Sequence, residues 1–224
     1  MKIIAHRGAS RERPENTLSA FERALEIGVD AIEMDVLVTR DGHLVVRHDD
    51  FIEKGGVRCY VRDLTFEELR QIDVGKGERA PSLESVFQSI RGRCPLILEL
   101  KAVGVAEILM EFLRKKKWDQ ELHVTSFLSL EVSRFAKGFP EIERSITLSA
   151  LPSHYEILLR DCQTKQISLH RGFLTQEIVG RLKKEGITVR VYTVNWPKEA
   201  ALFDSWGVDA VFTDDPAAMQ EFRK

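Results

Sequence analysis

The sequence predicts an α/β barrel of the TIM type, (β/α)8, with a small insertion after its second strand. Three observations lead there. Strand-like and helix-like patterns alternate along nearly all of the 224 residues, and such alternation means parallel strands joined by helical crossovers. Eight principal strand-like segments can be counted, the number that closes such a barrel. One long segment, residues 42–90, breaks the rhythm and carries Gly55, Gly56, Gly75 and Gly77, so it is expected to lie over the barrel mouth. The length suits a single barrel domain over 1–224, and no linker, repeat or low-complexity tract divides it.

The elements follow in order. "KIIAH" (2–6) is a strand, and "NTLSAFERALEIG" (16–28) is an amphipathic helix in which Leu18, Phe21 and Leu25 recur at helical spacing and Gly28 suits the C-cap. "AIEMDVLVT" (31–39) is the second strand, extended by "HLVVRHD" (43–49) after the turn residues Asp41 and Gly42. "DLTFEELRQI" (63–72) and "SLESVFQSI" (82–90) are helices with capping starts and an acid in the first turn. "LILELK" (96–101), "HVTSF" (123–127), "RSITLSA" (144–150), "QISLHRG" (166–172), "TVRVYTVN" (188–195) and "AVFTD" (210–214) are the remaining strands. The helices between and after them are expected at 105–116, 130–138, 155–162, 175–186, 198–207 and 216–223.

Hydrophobic residues make up 43% and charged residues 30%, an ordinary globular composition. The net charge of -2 gives no polyanion-binding character, so no nucleic-acid partner is expected. The basic run "RKKK" (114–117) is read as a solvated last helical turn. Cys59, Cys94 and Cys162 lack metal-type spacing and suit reduced thiols. No apolar run approaches the ~20 residues that span a bilayer, so no stable membrane insertion is expected. Nor does the start of the chain resemble a secretory leader with its apolar stretch of ~7–15 residues. Cytoplasmic residence follows as the expectation.

The chemistry lies in the polar residues of otherwise apolar strands. Period two sends Glu33 and Asp35 to one face, and Glu99 and Lys101 to one face of "LILELK" while Leu96, Leu98 and Leu100 take the other. With the leucines packed on the outer helices and strand two oriented likewise, three carboxylates converge inside the barrel near the mouth; the alternative is that the acids pair with Arg or Lys or that one faces solvent. Ionised carboxylates crowded in an apolar cup repel each other, and a hard divalent cation (magnesium, calcium or manganese) resolves that repulsion. His6 and His48 end strands, where an imidazole can give or take a proton, and Arg7 is a ready phosphate clamp. Together these residues suit in-line displacement at a phosphoryl group. "FTDDP" (212–216) is read as a helix start, with Asp215 as cap and Pro216 in first position, in preference to a second metal site of Asp214 and Asp215.

The stretch "AHRGAS…PENTLSAFERALEIGVDAIEMDVLVTRDGHLVVRHDD" resembles the opening signature of the glycerophosphodiester phosphodiesterase family. "LILELK", "VYTVN" and "WGVDAVFTDDP" resemble its later blocks in the right order, so the likeness covers essentially the whole chain. It implies a TIM barrel with an insertion after the second strand and a bound divalent metal. By position it implies Glu33, Asp35 and Glu99 as metal ligands, His6 and His48 as the acid–base pair, and Arg7 and Lys101 on the phosphate. Asn16 is implied as a supporting contact, although Asn16 or Thr17 can equally cap the first helix. The chain departs from the family in "DFIEKGG" after His-Asp, and in Tyr192 where tryptophan often stands; both bear on the alcohol headgroup. Phe127, Tyr192 and Trp196 are candidates for the pocket wall.

The expected activity is metal-dependent hydrolysis of a small-molecule glycerophosphodiester to sn-glycerol 3-phosphate and an alcohol. Either histidine can be the base, and either the glycerol 2-hydroxyl or water can attack. One rival keeps the barrel as a lysophospholipase D acting on lipid, against which the polar character of 42–90 argues. The other is a non-catalytic phosphate-binding barrel, which the complete set of histidines and acids disfavours.

Overall fold

In the computed structural model residues 1–54, 56–115 and 118–223 are described. Gly55 of the insertion, Lys116 and Lys117 of the basic run and the terminal Lys224 lie outside the described residues. β1 (Lys2–Ala5) leads through a tight turn to α1 (Leu18–Ile27). Thr17 caps α1, its Oγ1 accepting from Ala20 N, and Gly28 ends it in the left-handed region. β2 (Ala31–Val38) folds back into β3 (Leu44–Val46), with which it pairs antiparallel. A hairpin of β4 (Phe51–Lys54) and β5 (Val57–Tyr60) follows, then α2 (Phe66–Arg70), α3 (Leu83–Ile90) and β6 (Leu96–Leu100). From there the alternation is strict: α4 (Val105–Lys115), β7 (Leu122–Ser126), α5 (Ser129–Gly138), β8 (Glu143–Leu148), α6 (Tyr155–Asp161) and β9 (Gln166–His170). It closes with α7 (Gln176–Lys184), β10 (Thr188–Tyr192), α8 (Pro197–Trp206), β11 (Ala210–Thr213) and α9 (Pro216–Met219).

The strands run in the order β1-β11-β10-β9-β8-β7-β6-β2, and β1 pairs parallel with β2, so the eight-stranded barrel is closed. β3 hangs on β2 as an antiparallel appendage. The alternation along each strand produces two apolar layers. Ile32, Met34 and Val36 of β2 and Leu96, Leu98 and Leu100 of β6 pack against the helices. Ile4, Ala31, Ile97, Ala210 and Phe212 fill the barrel interior.

The segment 42–90 holds more structure than its glycines suggest. "HLVVRHD" contributes only Leu44–Val46 as strand, and the β4–β5 hairpin has no counterpart in the sequence pattern. The helix expected over 63–72 shortens to Phe66–Arg70, because the Thr65–Glu68 capping box starts it late. A small apolar cluster of Val45, Ile52, Val61, Leu69 and Ala80 joins this segment to Leu37 of β2. Asp215 caps α9, accepting from Ala218 N, with Pro216 in first position as expected.

The end of the barrel opposite the mouth is polar. Arg190 donates to His123 Nε2 at 3.0 Å and to Gln166 Oε1 at 2.6 Å. His123 is buried, and its desolvation, followed by the charges of Arg190 and Arg144, holds its pKa well below the usual 6.5. The folded chain thus rejects a proton that the unfolded chain accepts below about pH 6.5. Stability is therefore lost as pH falls below that value. His123→Gln, which keeps an acceptor for Arg190, is expected to flatten the slope between pH 6.5 and 5 by up to about 1.4 kcal/mol per pH unit. Denaturant titrations across that range measure it, and parallel slopes in the two proteins would refute the expectation.

Candidate active site

The mouth is built where the first strands end. β1 stops at Ala5, and His6-Arg7-Gly8 turns sharply under α1. Gly8 has φ 81°, and a Cβ there would lie 2.7 Å from the backbone carbon of Ala20, so only glycine lets the turn pack against the helix. Arg7 also takes a left-handed conformation, φ 59°, which is uncommon for a residue with a side chain. That turn aims Arg7 N at Glu33 Oε2, 3.0 Å away. The Arg7 guanidinium reaches Asp35 Oδ2 at 3.1 Å and Glu15 Oε2 at 2.9 Å.

β2 and β6 lie in parallel register with Asp35 opposite Glu99. Glu33, Asp35 and Glu99 each offer a carboxylate oxygen within 4.8 Å of the others. Lys101 Nζ lies 2.8 Å from Glu99 Oε1 and 3.2 Å from Asp35 Oδ1. Asn16 is buried and clamps Asp35 twice: its amide donates to Oδ2 at 2.8 Å and its Oδ1 accepts from Asp35 N at 3.2 Å. It is Thr17 that caps α1, and Asn16 serves the acid.

The charges respond as crowding and burial dictate. Burial, then Asp35 and Glu99, pushes Glu33 well above the usual carboxylate range. Burial also raises Glu99, against the pull of Lys101. Burial would raise Asp35 too, but Lys101, Arg7 and the Asn16 hydrogen bond outweigh it and hold it low. Three carboxylates thus face two cationic side chains, and Glu33 Oε1 is buried with no hydrogen-bond partner among the described residues. An oxygen-only donor set with surplus negative charge and an unpaired buried oxygen fits a hard divalent cation.

Both histidines are anchored through Nδ1. His6 Nδ1 lies 2.7 Å from Asp214 Oδ1, and Asp214 is itself held by Asn195, whose Nδ2 donates to Oδ2 at 2.8 Å. His48 Nδ1 lies 2.8 Å from Asp49 Oδ1. A carboxylate on Nδ1 fixes the ring and leaves Nε2 for a ligand. Sequence reasoning alone does not find Asp214 and Asn195. Their only signal is the pair of acids in "FTDDP", of which the cap accounts for Asp215 alone.

One cavity of about 270 Å³ joins these groups, lined by His6, Arg7, Glu33, His48, Glu99 and Lys101 on one side. Phe127 and Tyr192 line it as well, their rings edge to face at 5.9 Å. Trp196 lies outside that lining: it is 59% exposed, with the Arg11 guanidinium 5.9 Å from its ring centroid. The reason is local, since Asn195 turns inward to Asp214 and Trp196 is the next residue, directly before Pro197 of α8. Thr125, Thr147, Ser168 and His170 complete the far wall. In the sequence His170 shows only as a faint echo, "SLHRG", of "AHRG", and Thr125, Thr147 and Ser168 carry no signal of their own.

Comparison with known proteins bears on this geometry. The model of the glycerophosphoryl diester phosphodiesterase family matches residues 6–218, from His6 of the first turn into α9. The chain belongs to that family. The enzyme class expected from the sequence is therefore the class found. A glycerophosphodiester phosphodiesterase of Caldanaerobacter subterraneus is 32% identical over 97% of this chain and 95% of its own. A human lysophospholipase D is 25% identical over 99% of this chain and 85% of its own. Among solved structures, a phosphodiesterase of Oleispira antarctica in complex with the product sn-glycerol-3-phosphate superposes with a TM-score of 0.92 at 29% identity. The match covers 100% of this chain and 96% of that one. For a member of this family, the matched span holds every group gathered at the mouth, from His6 to Asp214.

Proposed function

We propose that the protein hydrolyses glycerophosphodiesters to sn-glycerol 3-phosphate and an alcohol with a divalent cation bound, magnesium, calcium or manganese. The observation that carries this reading is one small cavity lined by Glu33, Glu99, Arg7, Lys101 and both imidazoles, with Asp35 buried beside the two acids in the same carboxylate cluster. Glu33, Asp35 and Glu99 would hold the cation, whose chemistry is to polarise a phosphate oxygen and lower the pKa of a hydroxyl or water beside it. Arg7 and Lys101 bind the remaining phosphate charge, Arg7 through its planar fork and Lys101 as a point charge. Nε2 of one histidine removes the proton from the attacking oxygen, glycerol 2-hydroxyl or water. The other histidine, protonated on Nε2, donates to the leaving alkoxide as the P–O bond breaks, so the pair ends with its protonation exchanged; where the 2-hydroxyl attacks, the product is a cyclic phosphate, which water then opens to sn-glycerol 3-phosphate with the two histidines in the reverse roles. The Oleispira relative with its bound product supports the substrate class.

Chelation is expected to reduce turnover of glycerophosphocholine to background, and re-addition of magnesium, calcium or manganese singly should restore it with at least one ion. Full activity after exhaustive chelation would sink the metal assignment.

One observation favours the lipid-directed alternative. The segments that follow β6, β7, β9 and β10, with the first turn of α5, expose Val103, Phe127, Leu128, Leu130, Phe173 and Trp196, and the insertion exposes Val57 and Tyr60. An apolar rim of that kind could receive an acyl chain. Assay of glycerophosphocholine against lysophosphatidylcholine separates the two, and a marked preference for the lipid would favour the lysophospholipase D reading. A cytoplasmic location is supported by Cys59, Cys94 and Cys162, all free thiols. Among the described residues no helix is long and apolar enough to cross a membrane.

A further inference from the structure

The two cationic side chains at the mouth are held in different ways. Arg7 is fixed by its turn, with its N donating to Glu33 Oε2 at 3.0 Å and its guanidinium shared between Asp35 Oδ2 and Glu15 Oε2. Lys101 directly follows β6, and its N donates to Val36 O at 3.1 Å, which ties its backbone to β2. Its charge sits at the end of a flexible four-carbon stem, which can redirect it without moving that backbone. Nζ lies 2.8 Å from Glu99 Oε1 and 3.2 Å from Asp35 Oδ1, and the residue also lines the catalytic cavity.

Taken oxygen by oxygen, Asp35 has little room for a further cation. Its Oδ2 accepts from Asn16 at 2.8 Å and lies 3.1 Å from Arg7 Nε. That leaves Oδ1, the oxygen that faces Lys101. A divalent ion drawn to Glu33, Asp35 and Glu99 together therefore arrives where the ammonium already is. Two cations on one buried carboxylate oxygen repel each other strongly, because little water lies between them to screen the charge.

The balance of charge says where the ammonium goes. Three ionised carboxylates exceed Arg7 and Lys101 by one charge, which disfavours an incoming anion. A divalent ion reverses that sign, and a phosphate then offers the displaced ammonium a new partner.

We infer that Lys101 is an exchangeable counter-cation, which competes with the divalent ion for Asp35 and Glu99 and passes to the phosphate once the ion binds. The inference rests on the metal-dependent phosphodiesterase reading above. It makes one side chain weaken the binding of the metal and strengthen the binding of the substrate. A residue that served only the fold would not act in opposite directions on the two.

The test is calorimetric titration of the whole chain with magnesium, calcium and manganese chloride in turn, then with sn-glycerol 3-phosphate while a bound ion is kept saturating. Lys101→Met keeps most of the stem and removes the charge, and Lys101→Gln also keeps a donor for Glu99. Each ion that the native chain binds should bind both variants at least ~5-fold tighter, and sn-glycerol 3-phosphate should bind them at least ~5-fold more weakly, the lower end of couplings between linked sites. The side-chain nitrogen resonance of Lys101, identified by its loss in Lys101→Met, should shift when the ion is added and again with sn-glycerol 3-phosphate. Ion binding that is unchanged or weaker in both variants overturns the exchange. So does sn-glycerol 3-phosphate binding at the native level, or a resonance that the ion leaves in place. A native chain that binds none of the three ions sinks the metal assignment, and one that binds an ion but no sn-glycerol 3-phosphate sinks the substrate reading; the exchange falls with either.

Discussion

Alanine in place of His6 or of His48 is expected to lower kcat by ~10²–10⁴-fold, the range that a positioned general acid or base contributes. The melting temperature should move little. His6 is about four-fifths buried and His48 about two-thirds, and neither belongs to an apolar cluster. Asp214→Asn should fall between the native protein and His6→Ala. The amide cannot hold Nδ1–H as the carboxylate does at 2.7 Å, so the ring loses its fixed orientation and tautomer. That loss should appear in kcat with KM nearly unchanged, and in the nitrogen NMR shifts of the His6 ring. Rates of both histidine variants equal to the native rate would leave the non-catalytic barrel as the better description.

The second large effect is a trade between stability and turnover. Glu33→Gln should cut activity by more than about 10²-fold, because a neutral amide is a poor ligand for a hard cation. The same change should stabilise the metal-free protein, by about 1–3 kcal/mol. The sign follows from the direction of the shift. Burial, Asp35 and Glu99 raise the Glu33 carboxyl above its unfolded value. Its ionised form therefore destabilises the fold as pH rises through the range above about 4.3. The substituted amide carries no such penalty, and its oxygen can still accept from Arg7 N, which in the native protein donates to Glu33 Oε2 at 3.0 Å. Thermal unfolding of both proteins at neutral pH, with and without magnesium, reads this directly. The native protein should gain from the ion and the variant should not. A metal-free variant less stable than the metal-free native protein would contradict the electrostatic account.

Legibility followed period and spacing. In "AIEMDVLV" and "LILEL" the alternation of apolar and acidic residues specified which face each side chain takes, and the burial of Ile32, Met34, Leu96 and Leu98 agrees. Ser82, Asp215 and Gly28 marked helix ends by chemistry that acts within one turn of chain. The β4–β5 hairpin was not legible. Its strands, "FIEK" and "VRCY", are four residues each, and of their described side chains only Ile52 is buried, too little to set an alternating pattern. The place of Trp196 after a strand suggests a wall residue. Its turn geometry sends Asn195 inward instead.

The sequence by itself determined the barrel, the convergence of Glu33, Asp35 and Glu99, and the placing of His6, Arg7 and His48 at strand ends. The faces depend on periodicity alone, and the convergence follows once β2 and β6 pair in parallel, as strand–helix alternation implies. Only the tertiary structure decided that Asp214 orients His6 across 208 residues of chain, that Asn16 clamps Asp35, and that Ser168 stands unpaired in the far wall. Closure of the sheet sets the first and last of these, because it brings β11 beside β1 and β9 across from β2, while the pairing of β1 with β2 brings Asn16 to Asp35. No local pattern encodes which distant residue will arrive there.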